Sequence, residues 1–486
     1  MMDRPRLRIT ALAASLIVSL AGCSLAPTYE RPAMDVPAQW QTEAPWRAAQ
    51  PADAAPKGPW WQRFNDPQLD RLITQALQEN QSLKVALSNL EQAQAQTRVA
   101  RASLLPTITA TNNDTRTRTS SERPLSSYTS PTMSTVQSDF VLRADVSYEA
   151  DLFGRVRNTV ANAAASEAQA GANVENFRLL LAAQVATTWY NLRETDAEIA
   201  VVQEGLALQR KALDFVTSRH QDGVASGLDL AQQQALVDST ATQAELLTKQ
   251  RAQYEHALAT LVGTPAPAFH IDPIPLQGTA PQIPVALPSD VIERRPDVAA
   301  AERGAAAANA QVGVARAAFF PSVMLNGGAG WESRDLALLF SAPTLLWSFG
   351  TQIAQTVFDA GRTRARVDFA NAAYQGAIAN YRQTVLGALQ EVEDGLAGLQ
   401  SLERAASQAR HAVESARKVY DIAGARYEGG LATSLDVITA QQSLLNSQRA
   451  AVQILGQQMT TSVFLVKAVG GDWNHAIAAP IPTAQR

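Results

Sequence analysis

Twenty-four prolines are spread along this 486-residue chain, yet none lies between Pro131 and Pro265 and none between Pro343 and Pro480. Proline lacks a backbone donor and breaks helix interiors. Two proline-free runs of more than 130 residues each therefore invite helices far longer than globular domains use. Good helix formers fill Arg155 to about Arg219 in the first run, and Arg362 to about Arg426 matches it in the second. At about 1.5 Å per residue each spacing predicts a helix roughly 95 Å long. The composition agrees: the chain is rich in Ala, Gln and Leu, and aromatics make up only 6 %. The net charge of −4 speaks against a nucleic-acid footprint.

Both long helices run into related turns. "RHQDGVASGLD" (219–229) and "RYEGGLATSLD" (426–436) share Arg219/Arg426, Gly223/Gly430, Ala225/Ala432, Leu228/Leu435 and Asp229/Asp436 at an offset of 207 residues. Gly223 and Gly430 stand where a helix must end and the backbone needs a positive φ. Ser226 and Thr433, each with an Asp three residues on, approximate capping boxes for the next helix. Beyond the second turn Ile438, Leu445, Val452, Met459 and Val466 recur every seven residues, one row of a heptad seam; Leu247, Tyr254 and Leu261 are a weaker first copy. "VARASLLP" (99–106) parallels "VARAAFFP" (314–321), and "FGRVR" (153–157) parallels "AGRTR" (360–364). The whole unit is duplicated.

Between the helices the period falls to two. In "DFVLRADVSYEADL" (139–152), Phe140, Leu142, Ala144, Val146, Tyr148, Ala150 and Leu152 face one way. Asp139, Arg143, Asp145, Ser147, Glu149 and Asp151 face the other. "LPTITATNND" (105–114) is its expected partner, and 320–331 and 345–358 are expected strands of the second half. One apolar and one charged face suit a sheet between lipid and water. A soluble sheet flanked by helices fits the same pattern. Four strands cannot close a barrel, and a bilayer tolerates no open edge. If the strands cross a membrane, several chains share one barrel; three copies would give about twelve strands.

The N-terminus reads as a targeting segment. Arg4, Arg6 and Arg8 precede the apolar stretch 9–20, and "LAGC" (20–23) ends in Cys23, the only cysteine. That pattern predicts a lipoprotein signal peptide over 1–22 and lipidation of Cys23, for example by palmitate; an ordinary secretory signal with an incidental Cys is the alternative. A lone Cys excludes disulfides and Cys-based zinc sites.

With these motifs in order, the chain resembles the TolC-like outer-membrane factors, and most of all the lipoprotein branch serving RND-type efflux pumps. "WWQRFNDPQLDRLITQALQENQSL" (60–83) looks like the family's opening helix, with Asp66 as N-cap and Pro67 as first helical residue. "YEADLFGRVR" (148–157) and "VFDAGRTRAR" (357–366) look like its two strand-to-helix junctions, and "ERRPDVAAAE" (293–302) like the start of its second half. The resemblance implies a fold that is mainly α with a membrane β-barrel portion: long antiparallel helices forming a trimeric α-barrel, plus four strands per subunit in a shared 12-stranded barrel. The expected organisation is a lipidated tail over 23–66, a first repeat over 67–263 (strands about 105–114 and 138–152, tip about 219–229) and a linker over 264–290. A second repeat follows over 291–470 (strands about 320–331 and 345–358, tip about 426–436), then a tail over 471–486.

The resemblance further implies a periplasmic gate and a docking surface at the tips. Asp436 matches one aspartate of the family's acidic ring; where some members carry a second, this chain has Thr439. Helix capping is the alternative for Asp436 and the favoured reading of Asp229, and the two roles are compatible. Arg219, Gly223, Asp229, Arg426 and Gly430 mark the tips where a periplasmic adapter protein would dock; helix termination is the alternative reading. The implied partners are two further copies of the chain, that adapter, an inner-membrane RND-type pump and outer-membrane lipid, with no nucleic acid. The implied function is passive export of drugs and toxic compounds, hence multidrug resistance. A type I protein secretion duct would share the architecture, and a lipid-anchored periplasmic coiled-coil protein without a pore is a competitor of another class. No P-loop, dinucleotide fingerprint or H-E-x-x-H is present, and "GGAG" (327–330) lies in a strand candidate. The expectation is no enzyme, no metal and no cofactor, with transport energy supplied by a partner.

Overall fold

Both proline-free runs are helical over most of their described length, each opening on one strand. The computed structural model describes residues 26–33, 58–118, 120, 136–281 and 294–471. Cys23, the predicted signal peptide, most of both tails and residues 282–293 lie outside them. The helices are α1 (Pro67–Glu79), α2 (Gln81–Ala102), α3 (Arg155–Gln221), α4 (Gly227–Leu261), α5 (Pro296–Ala317), α6 (Arg362–Glu428) and α7 (Ser434–Ala468); the strands are β1 (Thr107–Arg118), β2 (Val136–Ala150), β3 (Ser322–Ser333) and β4 (Leu345–Ala354). Helices α3 and α6 have 67 residues each, about 100 Å at the usual rise. Among the described residues no helix is long and apolar enough to cross a membrane.

Two compact units emerge, each drawing on both halves of the duplication. The first comprises Met1–Ala33, Leu90–Gln169 and Ala301–Tyr381; the second comprises Met34–Asn89, Ala170–Ala300 and Arg382–Arg486.

The first unit holds one antiparallel sheet in the order β1-β2-β3-β4. Its register sorts most side chains by face, although Asn112, Asp114, Arg116 and Arg118 of β1 alternate onto the same side as Ile108 and Ala110. Ile108 lies opposite Val146, Val146 opposite Gly327, and Gly327 opposite Phe349; Ala110, Ala144, Ala329 and Trp347 form the next row. Leu142, Trp331 and Leu345 continue it, and Ala150, Val323 and Ile353 close the other end. All these belong to one face. Trp347 and Phe349 are each 76 % exposed on it. From Leu142 to Ala150 the band runs eight residues, about 27 Å along the strand, or roughly 20 Å after a tilt of about 45°. That approaches the roughly 25 Å apolar belt of membrane barrels. The opposite face carries Thr107, Thr109, Thr111, Asp139, Arg143, Asp145, Ser147, Asn326, Glu332 and Gln352. Arg143 donates to Asp145 there, over Gly328 and Gly330, where any Cβ would collide with Asp145 and Arg143.

Strand limits differ from the sequence expectations for local reasons. β1 begins after Pro106, which has no N–H, and runs on to Arg118 through a Thr/Asn-rich stretch that pairs with β2 but carries no apolar alternation. β2 ends at Ala150: Leu152 N–H turns back to the Ala150 carbonyl at 2.8 Å, and Asp151 accepts from the Val156 and Arg157 N–H groups that open α3. Phe320 belongs to the turn closing α5, its N–H on the Ala317 carbonyl at 3.0 Å. β3 therefore starts at Ser322, and β4 loses its partner after Ala354, leaving Val357 and Phe358 outside the sheet. Asp359 caps α6 as Asp151 caps α3, accepting from Thr363 N–H at 2.8 Å. Phe153 and Phe320 stack at 4.8 Å across the two junctions.

In the second unit Asp66 accepts from Gln68 and Leu69 N–H at 2.9 and 3.2 Å, with Pro67 in the first turn. It also accepts from the Trp189 indole at 2.6 Å. The expected seam on α7 is buried at Ile438, Leu445, Met459 and Val466 and half-buried at Val452. Val202, Leu247 and Leu445 form one cluster from α3, α4 and α7. On α4 the buried row continues upstream of Leu247 through Thr240 and Gln233, polar residues that an apolar count passes over.

A buried ion network clamps the segment after α4. Asp196 takes Arg193 at 2.9 Å and Arg251 at 2.7 Å; Arg251 also holds Glu255 at 2.7 Å. Arg193 reaches the Asp272 carbonyl, Asp196 accepts from Ile274 N–H, and Glu255 accepts from Ile271 N–H. Residues 271–274 are thereby pinned to α3 and α4. Asp196→Ala would leave the buried Arg193 guanidinium without a carboxylate and Arg251 with Glu255 alone, a loss of about 3–5 kcal/mol. The expected outcome is a lower midpoint for thermal loss of helix, read by circular dichroism; an unchanged midpoint would show the network to be dispensable.

Candidate functional site at the paired helical tips

Each long helix of the second unit ends in the same hydrogen-bond pattern. Gly223 (φ 78°) and Gly430 (φ 73°) adopt the left-handed conformation. Val224 N–H then reaches the Arg219 carbonyl, and Leu431 N–H the Arg426 carbonyl, both at 2.8 Å. This closure satisfies carbonyls the helix end would otherwise orphan, and only glycine takes it without strain. The next helix starts at once with a reciprocal cap. Ser226 and Asp229 exchange bonds on α4, Ser226 N–H to Asp229 at 3.0 Å and Asp229 N–H to the Ser226 hydroxyl at 3.2 Å. Thr433 and Asp436 repeat it on α7 at 2.8 and 3.3 Å. Asp takes the place of the usual Glu or Gln of a capping box.

All seven residues expected at the tips therefore have a local structural use. Gly223 and Gly430 end helices; Asp229 and Asp436 cap them. Arg219 and Arg426 offer carbonyls to the closure, and the Arg426 guanidinium donates to the Leu431 carbonyl at 3.3 Å. Thr439 donates its hydroxyl to the Leu435 carbonyl at 2.8 Å, so its side chain is tied to its own helix.

Two aromatics that sequence reasoning passed over join the tips. The Arg219 guanidinium lies 5.7 Å from the Phe215 ring and 5.2 Å from the Tyr427 ring, and the two rings meet edge to face at 6.2 Å. Phe215 and Arg219 belong to the end of α3, Tyr427 to the end of α6. The signal was a break in the repeat: the counterpart of Tyr427 is His220, which instead bonds the Ala225 carbonyl at 2.9 Å.

Asp436 is fully exposed, yet its carboxyl is held below the usual aspartate value. The Thr433 backbone N–H is the main cause, followed by the Thr433 hydroxyl; Arg426 adds a smaller pull. At neutral pH the tip thus presents a fixed negative charge beside its cap. Among the described residues no group of three or more His, Cys, Asp or Glu is placed to hold a metal.

Two outcomes follow for the tips. Arg219→Ala removes an exposed cation–π contact of about 0.5–1 kcal/mol, so amide exchange at 222–226 and 429–433 is expected to quicken several-fold; unchanged protection would mean the tips are not coupled. The depressed Asp436 value makes the second cap fully effective above the ordinary aspartate pKa of about 3.9, and lost as pH falls through the lower folded value. Exchange at 433–436, corrected for its intrinsic rate, should rise below about pH 4 and not above it.

Known proteins resemble this chain over nearly its whole length. The model for outer membrane efflux proteins matches residues 72–264 and 287–471. The probable efflux pump outer membrane protein TtgC of Pseudomonas putida is 35 % identical over 456 residues, 93 % of each chain. The outer membrane protein OprJ of Pseudomonas aeruginosa is 32 % identical over 480 residues, 97 % of each. The crystal structure of the Campylobacter jejuni CmeC outer membrane channel superposes with a TM-score of 0.83 at 25 % identity, covering 94 % of this chain and 96 % of that one. The chain belongs to the outer membrane efflux protein family.

Proposed function

We propose that this protein is the outer-membrane channel of a tripartite efflux system, a passive homotrimeric conduit that carries small molecules from an inner-membrane pump and its adapter to the exterior. The observation that carries the reading is the sheet: apolar on one face, polar on the other, with β1 and β4 as its outer strands. Three such sheets make a twelve-stranded barrel with lipid outside and water within. Nothing in a water-filled passage requires catalysis; the energy comes from the pump, of RND type by family resemblance.

The tips are the regulated end. Asp436 from each copy forms an acidic ring at the entrance, while Thr439 contributes no charge to it. Arg219, Gly223, Asp229, Arg426 and Gly430 shape the surface on which a periplasmic adapter docks. Lipid attached to Cys23, following "LAGC" (20–23), anchors each copy to the outer membrane; one acylated residue bearing several chains suffices for stable anchoring.

Asp436→Ala is expected to raise the conductance of purified protein in planar bilayers several-fold while leaving the trimer mass unchanged. Equal conductance in a normally assembled trimer would remove Asp436 from the gate, and no conductance from either protein would defeat the conduit itself. Cys23→Ser is expected to abolish incorporation of labelled palmitate; persistent label would place the lipid elsewhere.

A further inference from the structure

The two halves differ most in what connects their strands. Residues 119–135 read "TSSERPLSSYTSPTMST", a polar run, whereas 334–344 read "RDLALLFSAPT". The second connection is short, ordered and apolar. Two 3₁₀ turns build it, Leu336–Leu338 and Ala342–Thr344. Asp335 accepts from Ala337 N–H at 3.0 Å, the Ser333 hydroxyl donates to the Asp335 carbonyl at 2.8 Å, and the Thr344 hydroxyl donates to the Ser341 carbonyl at 2.7 Å. These bonds turn Leu339 inward and leave Leu336, Leu338 and Phe340 exposed, Phe340 by 70 %. A connection meant for water has no use for three apolar side chains held outward in an ordered frame.

Phe340 has a defined direction. Its ring meets Trp331 edge to face at 5.4 Å. Trp331 lies opposite Leu142 and Leu345, near the end of the apolar face and one row short of Phe140 and Ser333. Phe340 therefore continues that face past the ends of the strands. We infer that the β3–β4 connection is a lipid anchor, with Phe340 seated at the boundary between acyl chains and headgroups of the outer leaflet. This rests on the reading of the sheet as membrane-spanning. The side-chain chemistry suits it, since aromatic residues gather at that boundary in membrane barrels. A second copy of the chain fits less well as the occupant. If β4 of one copy pairs with β1 of the next, the neighbour offers Asp114, Arg116 and Arg118 at this end of the strand, charged heads that supply no apolar counterpart for Leu336 and Leu338.

Depth-dependent fluorescence quenching tests the anchor. Cys23→Ser in the full chain leaves an engineered cysteine as the only site for an environment-sensitive fluorophore. Phe340→Cys, Leu336→Cys, Phe349→Cys (mid-strand, apolar face) and Asn326→Cys (polar face) would each be labelled and reconstituted in phosphatidylcholine vesicles brominated near the headgroup or deep in the chain. The expected result is strong quenching at 340 by shallow bromines, strong quenching at 349 by deep ones, and several-fold weaker quenching at 326. If 349 is quenched while 340 and 336 behave like 326, the connection lies in water or against protein, and the anchor is wrong although the barrel stands. If 349 also escapes quenching, the membrane reading of the sheet fails and the anchor with it.

Discussion

β1 and β4 each present a row of backbone N–H and C=O groups that no other described strand of the chain pairs. In water such edges are a nuisance; in hydrocarbon each unsatisfied group costs several kcal/mol. Ten or more residues along each edge put that cost far above the whole stability of a typical fold, about 5–15 kcal/mol. The apolar face could be covered by lipid, but the edges can be satisfied only by further strands. Sharing a barrel among copies is the solution that meets both demands. Residues on the polar face, such as Arg143 and Asp145, then face a wet interior, where charge is cheap.

Much of this was legible in the residues. Proline-free runs announced α3 and α6, and the repeated turns at Gly223 and Gly430 placed their C-terminal ends to within two residues. Period-two alternation placed Phe140, Leu142, Ala144 and Val146 on one face, and the register confirms it. Limits were less legible. Alternation signals a strand only where one face is apolar, so the end of β1 at residues 115–118 was silent. Junction residues mislead for a different reason: Leu152 and Phe320 continue the apolar pattern while their backbones have already turned to close or cap a helix. The clamp of Arg193, Asp196, Arg251 and Glu255 was invisible, since its two local pairs lie 55 residues apart and no periodicity marks a buried ion network. The lipid site proposed at Cys23, by contrast, rests on a sequence signal that lies outside the described residues.

At the tips, capping and the proposed gating do not compete for Asp436. A capping carboxylate is oriented by the Thr433 N–H and hydroxyl, and those same bonds keep it ionised. A ring of charges at an entrance needs both properties: fixed position and fixed charge. The helix start supplies them without any further residue. The same holds for Gly223 and Gly430, whose left-handed closures hold the turn in one conformation and would offer one fixed surface to the docking partner proposed above.

Duplication gives a way to separate scaffold from function within a single sequence. Features kept at the 207-residue offset are those the architecture requires twice: the left-handed glycines Gly154/Gly361, Gly223/Gly430 and Gly263/Gly470, and the caps on α4 and α7. Departures from the repeat mark places where the halves have different work. His220 bonds within its own tip, whereas Tyr427, at the equivalent position, reaches across to Arg219 and Phe215. The connection between β1 and β2 is polar, whereas that between β3 and β4 is apolar and rests on Trp331. Neither difference is needed to fold a helical hairpin or pair two strands. Each alters what the end of the element meets, another tip in one case and the surrounding lipid in the other.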